Sequence, residues 1–446
     1  MRANRPQEGG SPATTEPVLS FAPLAKWWPV ALALIVCAGA SWKVQAAQWD
    51  FEVYYFAAKA SRAGLDPYAT QSLAQVAGRR MPLPFVYPPA FLALFAPIAH
   101  LALGTAKTVY LVAKLAALAG LVLIWGCFCR NTRETLILLA IVVLGFSGTI
   151  FADIYAGNIT CFEQLLVWLA VVALVTGHRL TFAVLIPLAA AVKGLPIALA
   201  LLLLFEGRKA ILPMLVSAGL FVVIEGCSRL MWPARTARFL ALASGLDERG
   251  HSAPSILALL RDSLGPGGKA WVPLALYLTA VAFILGAFGF RAIRLSQARA
   301  WQKAPWFLLS GAFLSYILVG PRLKSYGFVL VVPVAAWLLA RAKRGAWLMG
   351  TLVICLSAYA PLPKALLPQS PFWPLLWEYY ALLCVFALWL LWWIEAKNIS
   401  GLWLGGVEFA AGRAKLEPSL PHEHQGSDLT HRAPDSGGTG TREPAP

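Results

Sequence analysis

Apolar residues fill this chain in runs long enough to cross a bilayer, and short polar or basic loops separate them. A helix of roughly 18 or more apolar residues covers about 30 Å of hydrocarbon. By that measure the pattern predicts twelve spans, at about 27–47, 85–103, 106–128, 134–151, 160–176, 180–204, 209–230, 270–290, 304–320, 325–340, 346–361 and 373–394. Two longer interruptions stand out, at about 48–83 and 231–269. Each holds a short, partly apolar piece, Val53 to Arg62 and Ser255 to Leu264. These read as helices lying in the membrane interface, a roof over a cavity. The expected fold is an all-α polytopic membrane protein.

An even number of spans puts both ends on one side. Lys and Arg collect in cytoplasmic loops. The groups Arg208-Lys209, Arg291-Arg294-Arg299-Lys303 and Arg341-Lys343-Arg344 all alternate onto the N-terminal side, so both termini are expected to be cytoplasmic. Arg130, Arg133 and Arg179 alternate onto the opposite side. Either one segment before residue 180 is re-entrant or the count is off there.

Composition agrees with the pattern. The chain is 59% hydrophobic and 13% charged, against about 25% charged in soluble domains. That excludes a soluble core with an anchor. The formal charge is +16, and the spanning region alone carries +17, since residues 1–26 sum to +1 and residues 395–446 to −2. The basic residues sit in short loops rather than on one aromatic-interleaved face, which argues against nucleic acid as a partner. The seven cysteines lie in or beside apolar stretches with no metal spacing, so neither a metal nor a disulfide framework is expected. Residues 1–26 are polar and weakly basic, and the first apolar run reads as a retained helix rather than a signal peptide. Residues 396–446 are expected to form a cytoplasmic, largely disordered tail, being poor in the apolar residues a core needs from about 411 on.

Several polar residues sit where apolar surroundings make them costly. Asp50 and Glu52 open the first long loop, in Asp50-Phe51-Glu52-Val53-Tyr54-Tyr55. In a helix Asp50 shares a face with Tyr54 while Glu52 points elsewhere; in a strand the two acids share a side. Asp50 suits a general base toward a hydroxyl, or a helix cap. Tyr87 precedes Pro88-Pro89, a rigid helix entry. Asp153 and Asn158 join two spans as caps or as site residues. Lys193, deep in an apolar run beside Gly194 and Pro196, needs a partner or a wet cavity. His251 and Ser252 offer an imidazole and a hydroxyl in the second long loop. Arg322 and Lys324, with Tyr326, form an outward hairpin against the positive-inside bias. A guanidinium fork and an ammonium suit a phosphate; an anchor to lipid headgroups is the alternative.

Taken in order, these motifs resemble those of glycosyltransferase family 87: the Asp50 to Tyr55 signature with Gly64, Pro67 and Tyr68, then Tyr87-Pro88-Pro89, Gly157-Asn158, Lys193-Gly194-Leu195-Pro196, His251 to Ser255, and Pro321-Arg322 with Tyr326. The resemblance spans about residues 25–395. The family includes the mycobacterial phosphatidylinositol mannoside mannosyltransferase. The resemblance implies a GT-C fold in a bacterial inner membrane, with its site on the extracytoplasmic side. It implies inverting transfer of mannose or a related hexose from a polyprenyl-phosphate donor to a lipid or glycan acceptor, in glycolipid biosynthesis, without a cofactor. Asp50 matches the family's catalytic acid. Glu52, Tyr54, Tyr87, Lys193, His251, Ser252, Arg322, Lys324 and Tyr326 are the expected substrate contacts, although mycobacterial members are more His-rich around Arg322. A transporter or lipid flippase is the main alternative, and a structural membrane partner a weaker one.

Overall fold

The computed structural model describes residues 35, 42–265, 269, 271–297, 305–343, 345–356 and 373–395. Most of the first predicted span, residues 1–26 and the tail 396–446 lie outside them. Every regular element among the described residues is helical.

The first long loop and the residues flanking it fold as a cap of short helices: α1 (Trp42–Ala46), α2 (Trp49–Arg62), α3 (Thr70–Ala77) and α4 (Pro89–Phe95). The predicted span 85–103 is not one. Pro88, Pro89 and Pro97 chop it, since each removes a backbone donor and bars the preceding turn from continuing. Only the seven residues of α4 and a single tight turn, Ile98–His100, remain helical. Their phenylalanine rings turn inward, while Leu94 and Leu101 stay exposed. Phe85, Phe91 and Phe95 pack with Phe51, Tyr54 and Tyr55 in a separate aromatic core. Tyr87 stacks on Phe91 with ring centroids 4.5 Å apart.

The bundle proper starts at α5 (Leu103–Cys127) and α6 (Thr132–Ala156), each of 25 residues and apolar enough to cross a membrane. α6 is broken at Gly145, and Phe146, Ser147 and Gly148 are left-handed. Such backbone is tolerated at membrane depth where protein covers it. Here Phe146 stacks on Phe328, and Thr149 Oγ1 donates to the Ser325 carbonyl at 2.7 Å. α7 (Thr160–Val175) and α8 (Arg179–Lys193) follow.

The predicted span 180–204 is two segments. Gly194 ends α8 at φ 75, and Pro196 opens a tight 3-10 segment, Leu195–Ala210. Glycine takes a positive φ at no steric cost, and proline prefers the first helical turn. The segment is interrupted at Gly207, which takes φ 61 and ψ −135. It runs back alongside α8, because Arg179 at the start of α8 pairs with Glu206 at 2.5 Å. α9 (Ile211–Met231) then returns. α10 (Pro233–Gly245) and α11 (Ile256–Leu264) form the second long loop. α12 (Trp271–Gln297), α13 (Pro305–Val319), a second 3-10 segment (Ser325–Val331), α14 (Val332–Arg341), α15 (Ala346–Leu356), α16 (Trp373–Glu378) and α17 (Tyr380–Glu395) complete the described chain.

The two corrections offset each other. Losing 85–103 and dividing 180–204 leaves the parity after residue 210 unchanged, but reverses it for everything between. Arg130, Arg133 and Arg179 move to the same end as Arg208, Lys209 and Arg341. Contacts agree: Arg133 donates to the Ala342 carbonyl at 3.2 Å, and Arg341 pairs with Glu134 at 3.7 Å. The opposite end gathers Asp50, Lys193 and Arg322.

Candidate functional site

At that opposite end a cavity of about 400 Å³ lies beneath the cap. Seven of the sequence-predicted residues line it: Asp50, Tyr54, Tyr87, Lys193, Arg322, Lys324 and Tyr326.

Asp50 stands in the first turn of α2, with Tyr54 one turn on. Because the segment is helical, Asp50 and Tyr54 face the cavity together and Glu52 faces away. Glu52 is not among the cavity-lining residues. It pairs instead with Lys107 at 2.8 Å and with Arg79, which ties α2 to α5. The sequence reading had it touching substrate; in the structure it fastens the cap.

Asn158 organises the acid. Its Nδ2 donates to Asp50 Oδ2 at 2.6 Å and lies 3.0 Å from Tyr54 Oη and 3.2 Å from Tyr87 Oη. An amide nitrogen has two hydrogens; the shortest contact serves Asp50 and the phenols share the other. The two phenols bond each other at 2.8 Å. Asn158 Oδ1 accepts from Thr160 N at 3.0 Å and Thr160 Oγ1 at 2.8 Å, which fixes the amide's orientation. Tyr326 Oη adds a second donor to Asp50, at 3.3 Å.

The local backbone explains this convergence. α6 ends at Gly157, with φ 68. A Cβ there would stand 3.0 to 3.1 Å from Gln48 and Phe51. Glycine thus permits both the left-handed turn and the close approach of α6 to α2. Gln48 N donates to the Tyr155 carbonyl at 3.0 Å and seals the contact.

Two lysines support the cluster from below. Lys114 and Asp153 form a fully buried pair at 2.7 Å, and Lys114 also donates to the Asn158 carbonyl. Lys193 pairs with Glu163 at 3.0 Å, donates to Thr160 Oγ1 and lies over the Tyr326 ring at 5.3 Å. Lys193 therefore communicates with Asp50 through Thr160 and Asn158.

Across the cavity, Arg322 and Lys324 face one partner. Arg322 Nε donates to Glu248 Oε2 at 2.7 Å, and Lys324 Nζ donates to Glu248 Oε1. Lys324 is extended, at φ −74 and ψ 152; extended backbone allows alternate residues to share a side. Ser255 clips this hairpin to the second loop: its Oγ accepts from Ala258 N and donates to the Pro321 carbonyl at 2.9 Å. The second loop is fastened to the first as well, through Arg238 to Asp66 at 2.8 Å and Arg235 to Ser61 at 2.8 Å. Ser252 is exposed and bonds only the Arg249 carbonyl at 3.1 Å among the contacts described. His251 lies in the same tight turn, and its side chain lies outside the described atoms.

Electrostatics divide the cavity. Burial pushes the Asp50 carboxyl above its ordinary value, and the Asn158 bond, Lys324, Tyr326 and Lys114 partly restore it. Burial is also the main cause that raises the Tyr54 and Tyr87 phenols, which stay protonated. Burial raises Glu248 too, but its bonds from Arg322 and Lys324 outweigh that and hold it below its ordinary value. The site therefore offers a hydrogen-bonded carboxylate on one wall and a cationic clamp on the other. That combination can accept a proton from a hydroxyl while holding an anion.

Glu248, Asn158 and Lys114 carry much of this geometry; sequence reasoning left Asn158 as either a cap or a site residue and gave Glu248 and Lys114 no site role. Lys114 had a usable signal, being a lysine inside an apolar run just as Lys193 is.

A family model described as glycosyltransferase family 87 matches residues 85–321. Among curated proteins nothing matches the chain. The matched segment includes Tyr87, Asn158, Lys193 and Glu248, and it stops one residue short of Arg322. Asp50 lies outside it and is joined to it by the Asn158 bond. With more than half of its 446 residues matched, the chain belongs to glycosyltransferase family 87 and is a membrane glycosyltransferase.

Proposed function

We propose that this enzyme transfers a sugar, mannose or a related hexose, from a polyprenyl-phosphate donor to a hydroxyl of a lipid or glycan acceptor. The observation that carries the proposal is the shared cavity. Asp50 and the Arg322–Lys324 clamp line one 400 Å³ space, and Lys324 is near enough for its field to act on Asp50. Asp50 takes the acceptor proton while that oxygen attacks the anomeric carbon from the face opposite the phosphate. The bond from the anomeric carbon to the phosphate oxygen breaks, and its electron pair leaves with the polyprenyl phosphate. The configuration inverts. Arg322 and Lys324 are preorganised against that growing charge, which is usually the largest catalytic term.

The basic end, with Arg130, Arg133, Arg179, Arg208, Lys209 and Arg341, reads as cytoplasmic by the positive-inside rule. The cavity then opens on the extracytoplasmic side of a bacterial inner membrane, and both termini are cytoplasmic with twelve crossings. The acceptor is a glycolipid or glycan, and the polyprenyl tail lies among the surrounding membrane lipids.

The test is direct. Purified protein is incubated with a radiolabelled polyprenyl-phosphate sugar and a membrane-lipid extract. A labelled glycosylated product is expected that survives mild acid, which cleaves the glycosyl phosphate of the donor but not a new O-glycosidic bond. Label that only changes leaflet in proteoliposomes, with no new product, would replace this reading by a lipid flippase.

A further inference from the structure

Arg322 and Lys324 are not open cations. One carboxylate, Glu248, spans both, with one oxygen on each. Two non-bridging phosphate oxygens would make the same pair of contacts. Glu248 lines the cavity and its side chain is only 22% exposed, so its charge acts at short range on anything bound there. Among the described residues lining the cavity, the one further cation, Lys193, is matched by Glu163. The clamp with its carboxylate thus carries a single net positive charge.

We propose that Glu248 is a charge selector, matching the clamp to a phosphodiester of one negative charge and disfavouring phosphates of higher charge. This rests on the reading of Arg322 and Lys324 as the donor's phosphate seat. The chemistry gives the selector a second use. Before transfer the phosphate is a diester with one charge. When the anomeric carbon–oxygen bond breaks, both electrons stay on the phosphate oxygen and the acceptor proton goes to Asp50. The product is a monoester with one charge more than the donor. Glu248 therefore opposes the product more than the donor and favours its release.

A fixed charge acts on a ligand in proportion to the ligand's own charge. Removing Glu248's charge should tighten a singly charged ligand about tenfold and a doubly charged one about a hundredfold. The experiment titrates the solubilised full chain by calorimetry, which does not require turnover. The probes are a short isoprenyl methyl phosphodiester and the matching isoprenyl monophosphate at pH 8. Glu248→Gln should tighten the monophosphate about tenfold more than the diester. Glu248→Asp, which keeps the charge, should leave their ratio as in the natural chain. Equal tightening of both probes, weaker binding of both, or the same ratio change in Glu248→Asp overturns the selector. Arg322→Ala separates the two claims. If it weakens both probes while Glu248→Gln does not discriminate, the seat stands and the selector falls. If it leaves both constants unchanged, the seat itself is wrong.

Discussion

Asn158 Nδ2 lies 2.6 Å from Asp50 Oδ2, across 108 residues of chain, and joins the turn between α6 and α7 to the first turn of α2. That bond orients the carboxylate toward the cavity and leaves its other oxygen for an acceptor hydroxyl. Asp50→Asn keeps the shape and removes the base. We expect kcat to fall by about 10²–10⁴-fold, the usual worth of a positioned general base. The melting temperature should hold within about 2 °C, since an exchange of nearly isosteric groups at one cavity wall disturbs little packing. Full turnover in this variant, measured with the lipid-linked donor, would remove Asp50 from the mechanism.

The acid limb of the pH profile should report the same group. Asp50 works ionised, so activity is lost as pH falls through its carboxyl value. Burial holds that value above the ordinary one, and Asn158 and Lys324 pull it back down. Asn158→Ala and Lys324→Met each remove a stabiliser of the charged form. Both should move the acid limb of kcat to higher pH, so that activity near pH 6 suffers more than activity near pH 8. A limb that stays in place, or moves to lower pH, would assign it to another group.

Much of this site was legible because its members are polar residues in apolar company. Asp50, Lys193, Arg322 and Lys324 each stand where solvation cost demands a reason. Glu248 gives no such signal, since a carboxylate in a polar loop is ordinary until the fold brings it between two cations. Asn158 read as either a cap or a site residue, because its neighbours in sequence say nothing of α2. The spans failed where apolar content and backbone chemistry disagree. Residues 85–103 have a span's hydropathy, but prolines divide them and Phe51 and Tyr54 give their rings a protein partner. Gly194 and Pro196 fall inside the single predicted span 180–204, whereas the Arg179–Glu206 pair requires a full reversal there.

Gly157 is the hinge on which the α2–α6 contact depends. A methyl group there meets Gln48 Cα at 3.1 Å and Phe51 Cβ at 3.1 Å, and the residue must keep φ 68. Leaving glycine at a left-handed position costs about 1–2 kcal/mol before any clash. Gly157→Ala should push α2 away from Asn158. We expect a fall in kcat of about tenfold or more, since an ångström of misplacement is expensive. The donor KM should hardly move, because the Arg322–Lys324 clamp lies on the other wall. A variant that raises KM alone would place the damage at the clamp instead.

The Lys114–Asp153 pair makes stability and catalysis separable. Both side chains are wholly buried, 2.7 Å apart. Removing one partner strands a charge, which costs about 3–5 kcal/mol. Lys114→Met and Asp153→Leu should therefore each lower the melting temperature sharply or abolish expression. Combined, they leave no charge to strand, and a well-packed apolar replacement is often neutral. The double variant should regain most of the melting temperature. It should not regain full kcat, because the Asn158 carbonyl has still lost its ammonium donor and the amide that holds Asp50 is less fixed. Recovery of both properties together would reduce the pair to packing. A melting temperature lower in the double variant than in either single one would contradict the desolvation argument itself.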